Sequence, residues 1–447
     1  MRCVYTPFVS MKHRGHASIG VVVEADQISP RNKASVFLLK RWAGYTCHDP
    51  YFPANMRDWL YADSPTPIKM WGRNAPATTV SKADVLFVSH DLSWSGAPLI
   101  LFQIAKWCKE AGFFVTAMSP KNGPLREKFR EAGIPLVVDP LVVTGHPSFT
   151  AFAQEFDCVI ASTIFGAPVI RAAGSADIPH LWWIHEGRVA EHYLSKDSAL
   201  REALAMADLI VTPDTRSSQV YQPFIDRPVR VLSYGIPDPS AKVQPAPRSE
   251  TKPIEFLLLG TIENRKGQQL LLEALRKLSD DVLQKTRFRI VGRAHDPAIT
   301  EEIKRAGQKS SYLSYEDGVS PDAALALIRD TDVMLCASWD ETGPLILMEA
   351  LALGKPILSS NVGAVAEHLS PEAEGLFFSP GDADALARGI VRMALEPELR
   401  DRLSRNARRS YEKYFSFENF AENFVNLLME AISSRKERRA TDKARAA

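Results

Sequence analysis

From Asp84 onward, short apolar runs alternate with stretches of helical spacing. VLFVSH, FFVTAMSP, IPLVV, DCVIAS, HLWWIH, DLIVT and VRVLSYG read as strands. LILFQIAKWCKEAG and GPLREKFREAG, between the first three, repeat apolar residues at helical spacing. Strands alternating with helices predict a parallel sheet covered on both faces. The polar, proline-rich stretch PDPSAKVQPAPRSETKP then breaks the pattern, as a linker does. After it the pattern restarts. IEFLLLG, RFRIVG, DVMLCAS, PILSS and GLFFSP read as strands, and GQQLLLEALRKL, PDAALALIRD and DADALARGIVRMAL as helices. The chain is therefore predicted to be α/β, with two Rossmann-like units in tandem. The stretch from Leu399 to Ser434 is helical in pattern throughout and ends in a basic tail, RKERRATDKARAA, expected to fray. Residues before Thr79 show no clear periodicity, and their segment DPYFPANMRDWLYADSPTPIKMW suits an appended docking segment or an over-extended start. The expected divisions are an extension at 1–80, a first unit at 81–240, a linker at 241–253, a second unit at 254–405, closing helices at 406–435 and a tail at 436–447.

Composition narrows the function classes only a little. A chain of 447 residues is long enough for two domains with sizeable cores. With 45% apolar and 24% charged residues it has the make-up of a globular protein, and a formal net charge of +1 selects neither nucleic acid nor membrane as a partner. The five cysteines are scattered without a Cys-x-x-Cys pair, which suits reduced thiols rather than a disulfide framework. No run of eighteen apolar residues occurs, and the N-terminus lacks an apolar core of signal-peptide length. The expected location is cytoplasmic. The basic tail suits either a solvated end or an electrostatic contact with the inner face of the membrane.

Open parallel sheets bind ligands at the carboxyl ends of their strands, so the loops after the strands hold the candidates. The most pointed is SWDETGPLILMEALALGKPI, from Ser338 to Ile357, where Glu349 interrupts an otherwise apolar helix. Pro344 suits the first turn of that helix and Gly354 the position just past its end. A carboxylate buried there needs donors, so Glu349 either pairs with a structural Arg or Lys or faces the cleft and accepts from ligand hydroxyls. Glu341 lies in the loop after DVMLCAS, beside a helix N-terminus with free N–H groups. In GTIENRKG, Lys266 precedes a helix, where a phosphate meets an ammonium and free N–H groups; a solvated turn is the alternative. Gly96, in the loop SWSGAP, allows a close backbone approach or simply makes a tight turn. His185 ends the strand HLWWIH, either as a ligand contact or as a satisfied structural histidine. Trp182 and Trp183 read as core. Arg293, and Gly318 with Val319, follow two further strands. Asp382-Ala383-Asp384 has the look of a metal-binding Asp-x-Asp, but its place at a helix start favours an N-cap. No His and Cys cluster has metal-ligand spacing.

Taken with the elements NVGAVAE at 361–367 and GLFFSPGD at 375–382, the Glu341/Glu349 spacing followed by ALALGKPI resembles the signature of GT-B retaining glycosyltransferases of the family 4 type. The resemblance runs from about residue 84 to 432. It implies two Rossmann-like domains facing across a cleft, an acceptor domain first and a donor domain second, with C-terminal helices crossing back. It implies a nucleotide-diphosphate sugar as donor and a hydroxyl of a glycan or lipid-linked glycan as acceptor, with no nucleic acid and no metal cofactor. Glu341 would contact the donor sugar and Glu349 the ribose. Lys266 would hold the diphosphate; the family's second cation position is Thr261 here, where either Arg265 substitutes or the Thr261 hydroxyl bonds a phosphate oxygen. His185 would contact the sugar at the reacting centre, with Glu186 beside it near the acceptor. Gly96 would face the phosphates, and Arg293, Gly318 and Val319 would meet the base. The loop Thr342, Gly343 and Leu345 would serve sugar hydroxyls through backbone donors, one of which Pro344 removes. Rival readings are an epimerase or phosphorylase on the same fold, or an inactive scaffold.

Overall fold

The computed structural model describes residues 69–71, 81–241 and 252–446. The rest of the expected N-terminal extension, and the linker apart from its edges, lie outside the described residues. In chain order the strands are β1 (Lys69–Trp71), β2 (Asp84–Val88), β3 (Phe114–Ser119), β4 (Leu136–Val138), β5 (Cys158–Ser162), β6 (His180–Trp183), β7 (Leu209–Thr212) and β8 (Arg230–Val231). After the linker come β9 (Ile254–Leu259), β10 (Thr286–Val291), β11 (Leu313–Glu316), β12 (Val333–Cys336), β13 (Ile357–Ser360) and β14 (Leu376–Phe378). The first sheet has the order β1-β4-β3-β2-β5-β6-β7-β8 and the second β11-β10-β9-β12-β13-β14. Every pairing is parallel except the edge pair β1·β4, which is antiparallel with Met70 opposite Val137. β1 falls in the segment read as lacking periodicity. Three residues at a sheet edge carry too little pattern to show.

The two-unit prediction follows from how the strands bury. β5, β6, β7 and β12 are buried at every position, as strands covered on both faces must be, so their sequences read as continuous apolar runs. The covering helices are one-sided. Gly96–Glu110 buries Ile100, Leu101, Ile104, Ala105 and Cys108, one face of a helix. The helix Pro297–Gln308 adds to those predicted. It shows only Ile299, Thr300 and Ile303 to the core, which leaves a weak apolar signal. Cys108, Cys158 and Cys336 are free and buried, and burial pushes the Cys108 thiol up to about 12.

The chain ends by returning to the first unit. The helix Pro397–Ser410 runs across the expected division at 405, a π-helical turn at Tyr411–Phe415 follows, and the last helix is Phe417–Ala446. That helix continues past the expected end at 435, so the basic tail extends it rather than starting a separate frayed segment. Arg408 clamps Asp238 with two nitrogens, and Tyr411 donates to the Ile236 carbonyl, so the crossing is tied to the end of the first unit. The last helix then packs Phe420 and Phe424 on Trp183, at 5.8 and 5.0 Å between ring centroids. Trp182 and Trp183 are fully buried, as their strand context predicted. No helix of the described residues is long and apolar enough to cross a membrane.

Candidate active site

In the second sheet the strand order reverses direction between β9 and β12, and the loops leaving these two strands part there to form a crevice. Lys266 follows β9 and Glu341 follows β12. They are 75 positions apart in sequence, and the Lys266 ammonium bonds Glu341 Oε1 at 2.5 Å. Arg265 reaches the other carboxylate oxygen at 3.2 Å, and Ser338 donates to Oε1 at 2.9 Å. The Glu341 side chain is only 10% exposed. Burial alone would raise its pKa, but the charges of Lys266 and Arg265 and the hydrogen bonds of Lys266 and Ser338 outweigh that and hold it below the ordinary carboxylate range. Arg265 is fixed in turn by Glu263 and the Asp340 carbonyl. The result is a preformed cluster of two cations around one carboxylate.

The backbone beneath Lys266 is tightly specified. Asn264–Lys266 form a 3₁₀ turn that leads through Gly267, at φ 69°, into the helix Gln268–Leu275. A Cβ on Gly267 would lie 1.9 Å from the Ala337 carbonyl oxygen, so glycine is what lets this turn sit against the end of β12. Thr261 is half-buried, and its carbonyl accepts from Gln268. The loops holding Arg293 and Gly318 pack on each other, since a Cβ on Gly318 would overlap the Arg293 side chain at 2.2 Å. Arg293 is exposed and Val319 half-buried against the core.

The opposite wall comes from the first unit. His185, just past β6, joins Tyr234, just past β8, through its Nδ1 and the tyrosine hydroxyl. The Trp183 ring lies 4.7 Å from the His185 ring, so Phe420 and Phe424 of the last helix support the histidine through the tryptophan. His185 Nε2 is buried without a protein partner. Burial, and then the nearby His90, push the His185 pKa down to about 3, which leaves a neutral imidazole at ordinary pH. Thr342 crosses the cleft and donates to the His185 carbonyl at 2.9 Å. Gly343 lies against the Tyr234 ring, where a Cβ would come within 2.4 Å of Cδ2. Leu345 faces Gly96, with 3.7 Å between its Cδ1 and the place of a Cβ on Gly96. Away from this centre, Glu367 accepts from the N–H groups of Thr215 and Arg216, and His368 bonds Ser233, which ties the two units together.

The structure thus gathers His185, Glu341, Lys266, Arg265, Thr342 and Gly343 at one place, with Gly96 and Leu345 opposed across the same cleft. Glu349 corrects the sequence reading. Its helix is Leu345–Ala352, yet Glu349 is half-buried while Leu347, Met348, Ala350 and Leu351 are fully buried. Pro344 caps that helix in an extended conformation rather than sitting in its first turn, and Gly354 lies just past its end, as expected, with a left-handed φ of 67°. Asp382 caps its helix by accepting from Ala385, and Asp384 pairs with Lys277. Ser338 and Tyr234 are the members that sequence reasoning missed. Both fall at the ends of runs read as strands, DVMLCAS and VRVLSYG, whose observed strands stop earlier, at Cys336 and Val231.

Glu186 is a second perturbed carboxylate. Burial raises its pKa to about 7, partly offset by backbone N–H groups of Ile164 and His185 that donate to Oε2. Between its ordinary 4.5 and about 7, the folded chain keeps a proton that the unfolded chain has released. This group's contribution to stability therefore falls as pH rises through that window. Glu186→Gln cannot titrate. Its stability relative to wild type is expected to improve by about 1–3 kcal/mol from about pH 4 to about pH 8. Urea unfolding of both proteins at the two pH values checks this, and a constant difference would mean that Glu186 titrates as an ordinary carboxylate.

Comparison with solved structures places this architecture in the GT-B class. HepE of Anabaena, solved in complex with UDP and glucose, superposes with a TM-score of 0.66 at 19% identity, over 77% of this chain and 99% of that one. The family model described as "Glycosyl transferases group 1" matches residues 240–410, and that described as "Glycosyl-transferase family 4" matches 81–221. The chain belongs to the family 4 type of GT-B glycosyltransferases. Among curated relatives, an uncharacterized glycosyltransferase of Methanocaldococcus jannaschii is 27% identical over 38% of this chain and 44% of its own length. A glycogen synthase of Mycobacterium tuberculosis is 24% identical over 62% of this chain and 64% of its own length. The chain thus spans from under half to just under two thirds of these two relatives.

Proposed function

We propose that this protein moves a sugar from a nucleotide-diphosphate sugar to a hydroxyl of a glycan or lipid-linked glycan. We assign it retention of anomeric configuration and a place in cell-surface polysaccharide or lipopolysaccharide synthesis. The observation that carries the donor half is the cluster of Lys266 and Arg265 on Glu341 at the switch point of the second sheet. UDP and glucose in the HepE structure, and the names of the curated relatives, support the same reading.

In this reading the diphosphate takes the place beside Lys266 and Arg265, whose charges Glu341 offsets together with Glu263, the second partner of Arg265. As the glycosidic bond breaks, negative charge builds on the leaving diphosphate, and preset cations stabilise it without reorganising. Glu341, freed toward the sugar, and the backbone of Thr342, Gly343 and Leu345 hold its hydroxyls. Glu349 takes the ribose, and the loops of Arg293, Gly318 and Val319 take the base. His185 is neutral. With Nδ1 paired to the Tyr234 hydroxyl, the tautomer protonated on Nε2 offers that proton to the sugar as an oxocarbenium-like transition state develops. The same-face displacement needs no covalent intermediate. In this reading no metal is required, and the two units close around the donor. In this reading the protein works in the cytoplasm, with the inner membrane face as a place where it meets a lipid-linked acceptor.

Calorimetric titration of the full chain with a panel of nucleoside diphosphates and their sugars tests the donor half. Tight binding of one base is expected. A folded protein that binds none overturns the assignment and favours a scaffold. Release of free sugar without an acceptor, or turnover that requires inorganic phosphate, would instead indicate an epimerase or phosphorylase on the same fold.

A further inference from the structure

The first sheet has a switch point of its own, between β2 and β5, and a crevice of about 570 Å³ opens there. Its walls include His90 after β2, Lys121 after β3, Ile164 and Phe165 after β5, and Tyr193 in the helix Val189–Lys196. The volume is that of a small-molecule site. Its lining is mainly apolar. Phe165 is 55% exposed and Tyr193 42% exposed, unusually bare for rings this size. The polypeptide is shaped to present the first of them. Thr163 adopts φ 66°, a left-handed value that strains a β-branched residue. That strain is held by Trp182 Nε1 donating to the Thr163 carbonyl at 2.7 Å and by the Phe165 N–H donating to Thr163 Oγ1.

The charges around the crevice are mostly engaged elsewhere. Asp91 accepts from Ser93, Asp197 caps its helix at Ala199 and Leu200, and Arg171 pairs with Glu202. Lys121 and Arg171 line the crevice together with Asp91 and Asp197, so its charges are of both signs and neither is in excess for an anion. The crevice lies beside the reaction centre. The Ile164 N–H on its wall and the His185 N–H share Glu186 Oε2, at 2.9 and 3.2 Å. The His90 ring stands 6.2 Å from the Phe165 ring, and His90 is close enough to lower the His185 pKa.

We propose that this crevice receives an apolar aglycone of the acceptor, against Phe165 and Tyr193, so that the acceptor's sugar hydroxyl reaches the cleft beside His185. This rests on the glycosyltransferase reading and specifies its acceptor: a glycoside with a lipid or aryl group close to the hydroxyl that is glycosylated. A free, purely polar saccharide leaves the two aromatic faces wet.

The test is calorimetry on the full chain with methyl, octyl and 4-nitrophenyl glucosides, galactosides and mannosides, the octyl series below its micelle concentration. Nucleoside diphosphate binding is measured on the same samples. At least one octyl or nitrophenyl glycoside is expected to bind about ten-fold tighter than its methyl counterpart. Phe165→Ala and Tyr193→Ala should each remove most of that preference and leave nucleotide affinity unchanged. Preference for octyl over nitrophenyl identifies a lipid aglycone, and the reverse an aryl one; either supports the proposal. Equal binding of all three glycosides, binding of none, a preference that survives both substitutions, or competition by inorganic phosphate overturns it. Loss of these outcomes while a nucleotide still binds condemns the crevice alone. Absence of nucleotide binding alongside an intact aglycone preference condemns the donor reading instead.

Discussion

Lys266→Ala is expected to weaken nucleoside diphosphate binding by about 10- to 100-fold, because a hydrogen bond to a charged group contributes roughly 1.5–3 kcal/mol. Turnover should fall further, by about 10²- to 10³-fold, because charge on the leaving group peaks in the transition state. The substitution also acts on the unliganded chain. Lys266 is one of the partners that keep Glu341 ionised while nearly enclosed. Its loss leaves that carboxylate to Arg265 and Ser338, and stability should drop by about 1–3 kcal/mol. The two effects separate in a double-mutant cycle. In Lys266→Ala with Glu341→Gln, the neutral amide restores most of the stability but none of the nucleotide affinity. Unfolding curves and calorimetric titration of the four proteins supply the numbers. Unchanged nucleotide affinity in Lys266→Ala would remove this residue from the donor site.

Gly267→Ala is expected to be among the most destabilising single methyls in the donor unit. The added Cβ falls 1.9 Å from the Ala337 carbonyl oxygen and 2.7 Å from its carbon, and the residue has φ 69°. Neither the turn nor the end of β12 can withdraw cheaply, because the Trp339 N–H donates to the Arg265 carbonyl at 2.8 Å and fastens the two together. A loss of more than about 3 kcal/mol follows, from strained backbone and overpacking combined. For a unit of this size that lowers Tm by roughly 6–12 °C. Gly354→Ala is the internal control. Its φ of 67° imposes the same conformational cost, but the nearest atom to its Cβ is 3.7 Å away, so about 1 kcal/mol is expected. Scanning calorimetry on the pair isolates the contact term. Equal melting temperatures would mean that the turn shifts freely off β12, and a freely shifting turn could not hold Lys266 in place.

Much of the site was legible because its parts are local. Glu341 and Lys266 each stand where a strand gives way to a helix, and apolar runs bounded by loops mark such places without any tertiary knowledge. Gly354 and Asp382 were likewise readable as helix ends, since caps depend on a few neighbouring residues. The family resemblance then supplied roles that spacing could not. What misled was the inference from local apolarity to burial. The helix around Glu349 is apolar in sequence on every side and buries Leu347, Met348, Ala350 and Leu351, yet Glu349 itself is only half-buried.

By itself the sequence determined the strands and helices, their division into two units, and the loops that could carry chemistry, because periodicity and capping act within a few residues. Only the tertiary structure decided which loops meet. Sheet order brings the end of β9 to the end of β12, so that Lys266 bonds a carboxylate 75 positions away. The return of the last helix sets Phe424 on Trp183 and steadies His185, and the pairing of the units lets Thr342 reach the His185 carbonyl. No local pattern encodes these contacts. They arise when apolar faces far apart in the chain are buried against one another.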